Sequence, residues 1–122
     1  MSNKIQDFLD SIFRIAGLTQ EEALKIKSDL EELVKIKTVN QLTNGLGEQN
    51  LKIIQDKVKK SGNSWEEDLV SMLKDKYDKE VIKKEISSVA NKAIGDYLDF
   101  LMRNSNDDKR EQLLAVFKKF KL

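Results

Sequence analysis

The sequence predicts an all-α protein, a single-domain irregular bundle of five or six helices over residues 1–122. Three observations lead there. Pro is 0 and Gly only 5, too few turn residues for sheets and long loops. Apolar residues recur at steps of three and four through most of the chain. Capping signatures stand in front of several of these stripes.

The first helix is predicted from about Lys4 to Ala16. Asn3 can cap it, with Gln6 three residues later in capping-box position. Ile5, Phe8, Leu9, Ile12, Phe13 and Ala16 make its stripe. Gly17 is the expected stop, because glycine enters the left-handed conformation without a Cβ penalty. The second helix opens on Thr19-Gln20-Glu21-Glu22, a capping box, with Leu18 placed to staple onto Ala23. Ile26, Leu30, Leu33 and Val34 form its stripe. Val34-Lys35-Ile36-Lys37-Thr38-Val39 is β-branched and partly alternating, as a strand would be. It follows a strong helix without a breaker and has no second strand to pair with, so helix is expected up to about Asn44-Gly45-Leu46-Gly47.

A third helix is predicted over about Glu48 to Lys60, with Leu51, Ile54 and Val58 facing inward and Gly62 as its stop. The fourth begins at Ser64-Trp65-Glu66-Glu67, another capping box, and carries Leu69, Met72 and Leu73. Asp78 is a plausible cap for the fifth, from about Lys79 to Arg103. There Ile82, Ile86, Val89, Ala90, Ala93, Ile94, Tyr97, Leu98 and Leu101 make a broad stripe. Asn104-Ser105-Asn106 reads as a turn or cap. The last helix carries Leu113, Leu114, Phe117 and Phe120.

Composition removes several classes of chemistry. His and Cys are both 0, which takes away disulfides, His or Cys metal sites, Cys nucleophiles and His general bases. No cofactor is expected. Charged residues are 35% and no apolar run approaches the ~20 residues of a spanning helix. Met1-Ser2-Asn3-Lys4-Ile5-Gln6-Asp7 lacks the apolar core of an export signal. A cytoplasmic location is therefore the expectation. Charge is balanced: residues 1–61 carry ten basic and nine acidic side chains, and 62–122 carry twelve of each.

The segment from Leu18 to Leu101 resembles a family of small all-helical bacterial domains of unknown function. The resemblance lies in Leu18-Thr19-Gln20-Glu21-Glu22 opening a long helix, in Leu69, Met72 and Leu73, and in Tyr77-Asp78 before a final long helix. Members often place a Pro at that last junction, where this chain has Lys76-Tyr77-Asp78. The resemblance implies a helical fold and carries no chemistry.

Motifs that could hold chemistry have plainer readings. The pairs Asp29 with Glu32, Asp75 with Asp78 and Asp96 with Asp99 stand at helical spacing, as metal ligands or an acid–base pair would. Lys sits within a turn of most of them, which favours a solvated, charge-paired face. Asn104-Ser105-Asn106-Asp107-Asp108 alternates oxygen ligands like a calcium loop, but Lys109 stands where that loop needs Gly and Ala115 where it needs Glu. A capping turn is expected instead. Gly45-Leu46-Gly47 lacks the Lys-Ser/Thr tail of a phosphate loop.

The C-terminal segment is the exception. Residues 109–122 hold five basic side chains and one acidic one, mixed with Leu and Phe. Such an end can dock on an acidic partner, anionic lipid or nucleic acid, or its Phe residues can enter the core while its lysines complement the helix dipole. The candidate interaction surface is Trp65, Phe117, Lys118, Lys119, Phe120 and Lys121, although a Trp at a helix start more often closes the edge of a core. The functional expectation is a non-enzymatic helical interaction module that binds a protein partner or a second copy of itself. The alternative is nucleic-acid or anionic-membrane binding through the basic C-terminal helix. Balanced charge and only three Arg weigh against nucleic acid.

Overall fold

The computed structural model describes residues 3–120, and the side chains of all of these but Asn3, Asn63 and Phe120. Six α-helices follow one another: α1 (Asn3–Ala16), α2 (Gln20–Leu42), α3 (Glu48–Lys60), α4 (Trp65–Leu73), α5 (Lys79–Arg103) and α6 (Asp107–Phe120). A 3₁₀ turn over Gly62–Ser64 joins α3 to α4. The described residues contain no strand.

The helix ends follow local chemistry. Gly17, at φ 75°, ends α1 in a Schellman motif: the Leu18 amide donates to the Phe13 carbonyl and the Gly17 amide to that of Arg14, each at 3.1 Å. The capping box of α2 forms in both directions. The Glu22 amide donates to the Thr19 hydroxyl at 3.2 Å, and the Thr19 amide donates to the Glu22 carboxylate at 3.1 Å. Asn106 caps α6, its Oδ1 accepting the Lys109 amide at 2.9 Å. The expected turn over residues 104–108 is therefore a helix start, and its central oxygen is committed to the backbone.

Residues 34–39 are helical. Val34, Lys35, Thr38, Val39 and Leu42 are buried while Ile36 is 44% exposed. A strand would bury 34, 36 and 38 together, so the spacing of four outweighs the β-branched composition.

One cap differs from expectation. Ser64 accepts no backbone amide at the start of α4, its only bond there being a 3.5 Å one to the Asp68 carboxylate. Its Oγ donates instead to the Ser61 carbonyl at 2.9 Å. The 3₁₀ turn holds Ser64 at φ −93°, ψ 14°, away from the extended geometry that aims a cap at the helix amides. Asn3 lies inside α1, and its expected capping side chain is outside the described set.

Residues group into two compact units, 1–31 with 91–122 and 32–90. In the first, buried apolar side chains come from α1 (Ile5, Phe8, Leu9, Ile12, Phe13), α2 (Leu30), α5 (Ala93, Ile94, Leu98) and α6 (Leu113). Helices α1 and α6 pack together. Lys27 pairs with Asp10 at 2.5 Å, and the Phe13 ring meets the edge of Tyr97 at 6.0 Å. In the second unit, Val34, Val39 and Leu42 of α2 and Ile54 and Val58 of α3 are buried. So are Trp65, Leu69 and Leu73 of α4, and Ile82, Ile86, Val89 and Ala90 of α5. Here α3 packs on α4, and Gln55 Nε2 donates to Asn40 Oδ1 at 3.0 Å, linking α3 to α2.

Candidate interaction surface

Helix α6 is anchored on one side and open on the other. Leu113 is 0% exposed, whereas Leu114 is 40% and Phe117 38% exposed. Neighbouring residues in a helix point about 100° apart, and α6 is turned so that Leu113 is buried while Leu114 faces outward. Leu114 and Phe117 are three apart and share a face. Lys118 follows on that face, and both Lys118 and Lys119 are exposed. Arg110 stands one turn before Leu114. Its Nε donates to the Met102 carbonyl at 2.7 Å, tying the start of α6 to the end of α5.

The sequence candidates separate accordingly. Phe117, Lys118 and Lys119 lie on the surface. The Phe120 side chain and Lys121 lie outside what the structure describes. Trp65 is corrected: it is 1% exposed and belongs to the core. It stands four residues before Leu69 and eight before Leu73, so it continues the buried stripe of α4. Leu114 was missing from the candidates, because the sequence does not say which of two adjacent leucines the packing turns inward.

Other exposed apolar residues are less organised. Leu24, Ile53, Val81 and Phe100 are large and exposed, but single exposed apolar residues are ordinary. Phe100 also stacks on Tyr97 at 6.3 Å. Burial of the Tyr97 ring pushes its hydroxyl above the usual tyrosine pKa. Leu33 and Ile36 form a second pair three apart. Beside them Glu32 pairs with Lys35 at 3.5 Å, so no unbalanced charge accompanies that pair.

Polar features resolve into structural roles. A cleft of about 520 Å³ in the second unit is lined by Lys57, Lys60, Ser61, Ser64, Asp68, Ser71 and Met72. Two of its hydroxyls are spent on helix ends, Ser61 on the Lys57 carbonyl and Ser64 on that of Ser61. Cations and a carboxylate face the same space, so it suits neither sign of ligand strongly. The carboxylates Asp29, Glu32, Asp75, Asp78, Asp96 and Asp99 are all exposed, and Asp99 pairs with Arg103 at 3.2 Å. Among the described residues no group of three or more His, Cys, Asp or Glu is placed to hold a metal ion. No helix among them is long and apolar enough to cross a membrane.

Compared with models of protein families, with curated proteins and with solved structures, the chain matches none.

Proposed function

We propose that the chain is a non-enzymatic helical interaction module that docks a protein partner through the outer face of α6. The observation behind this is the pairing of Leu114 and Phe117, both more than a third exposed, with Lys118 on one face of a helix held by Leu113. Apolar side chains left in water beside cations form a surface that gains free energy when covered. The cytoplasmic location expected from the sequence remains part of this proposal.

A photo-crosslinking residue in place of Phe117, expressed in the native cells, tests it. A discrete protein adduct at this position, absent when the same residue replaces the exposed Lys25, supports the module. Adducts to nucleic acid or lipid would transfer the site to the alternative reading. Equal, diffuse labelling at both positions would sink the proposal. Phe117→Asp should weaken capture while leaving the helical circular dichroism intact, since this ring is not part of the buried set.

A further inference from the structure

We infer that the partner is a second copy of this chain, seated antiparallel along α6. This deepens the interaction-module reading and rests on it. Asp107, Glu111, Leu114 and Lys118 are spaced four, three and four apart, the spacing of a helix–helix seam. Arg110, on the same face, pairs with Asp107 at 3.8 Å, so the remaining charges of the seam are Glu111 on one side of Leu114 and Lys118 on the other. All four residues are exposed. Glu111 and Lys118 are seven residues apart, about 10 Å along the axis, too far to satisfy each other within one helix.

The order of charges decides the occupant. An acidic peptide or an anionic membrane would suit Lys118 but would meet Glu111 on the other side of Leu114. A parallel second copy would stack lysine on lysine and glutamate on glutamate. An antiparallel copy, related by a twofold axis near the middle of α6, sets Glu111 of each helix against Lys118 of the other. Leu114 and Phe117 of both copies then close the centre. The two charges that flank Leu114 are thereby matched reciprocally, Glu111 of each copy with Lys118 of the other.

The contact is small. A helix of 14 residues is about 21 Å long, so the interface falls at the weak end of specific contacts. Reversible, micromolar or weaker association is expected, and it should loosen as salt screens the flanking pairs.

Sedimentation equilibrium of the full chain, from roughly 10 μM to roughly 1 mM to bracket that weak range, tests the inference. Wild type should show a monomer–dimer equilibrium. Glu111→Lys and Lys118→Glu, each at an exposed position, should each weaken it about tenfold by setting like charges together. The double variant Glu111→Lys/Lys118→Glu reverses both ends of the face and should restore the wild-type constant to within about threefold. Leu114→Glu should be monomeric throughout. Circular dichroism of every variant confirms the fold, and the charge variants decide the matter if Leu114→Glu loses it. A monomeric wild type, or a dimer indifferent to all these changes, overturns the second copy as partner. Should the wild type be monomeric while the crosslink at position 117 still captures another protein, the module stands and only its occupant changes.

Discussion

Among the described residues, Thr38 holds a buried side-chain oxygen that is left unsatisfied. It is fully buried, and its Oγ1 has no hydrogen-bond partner. Thr43, also buried, donates its hydroxyl to the Val39 carbonyl. A buried hydroxyl without a partner has lost its water and gained nothing, so the near-isosteric Thr38→Val should stabilise the fold by about 1 kcal/mol in urea unfolding. Glu22 gives a pH prediction. Its carboxylate is held below the ordinary glutamate pKa first by the Thr19 amide and then by the Thr19 hydroxyl. A depressed carboxylate contributes stability above its unfolded pKa and loses it as pH falls through the folded value. The melting-temperature gap between wild type and Glu22→Gln, open at neutral pH, should therefore close as pH is taken down from about 4.3. A gap that persists in acid would mean the box works without charge.

At the scale of elements, two glycines should respond in opposite directions. Gly95 lies within α5 with open space where a Cβ would stand and without a positive φ, so Gly95→Ala should raise stability by about 0.5–1 kcal/mol. Gly17 at φ 75° completes the stop of α1, and Gly17→Ala should cost about 1–2 kcal/mol in the same unfolding assay. Most element bounds were legible in the sequence because caps, stops and apolar spacing agreed. The expected ranges of α3 and α5 are those observed. Thr19 and Ser64 show the limit. Both begin a Ser/Thr-x-x-Glu pattern, but a 3₁₀ turn formed by Gly62-Asn63-Ser64 diverts the second hydroxyl to Ser61. Competition between neighbouring hydrogen bonds is invisible to a pattern. The site was half legible: periodicity and charge singled out α6, but helix rotation, which exposes Leu114 and buries Leu113, is set by packing.

For the whole molecule, the formal net charge is +1 at pH 7, and each half of the chain is nearly neutral. Such a chain should pass through a heparin or DNA column at about 150 mM salt, because backbone neutralisation needs many cations on one face. Retention there would favour nucleic acid over protein as the partner. The division into two units was not legible, since residues 31–32 and 90–91 fall inside α2 and α5 and no Gly, Pro or change of composition marks them. The burial of the single Trp has a practical consequence. Trp65 is the chain's one indole, and it lies in the core contributed by residues 32–90. The protein thus carries its own optical reporter. Excitation at the red edge of the absorption band selects this indole over Tyr77 and Tyr97. Its emission should be blue and resistant to dissolved quenchers in the native state, turning red when that core opens, so loss of structure there can be followed without a label.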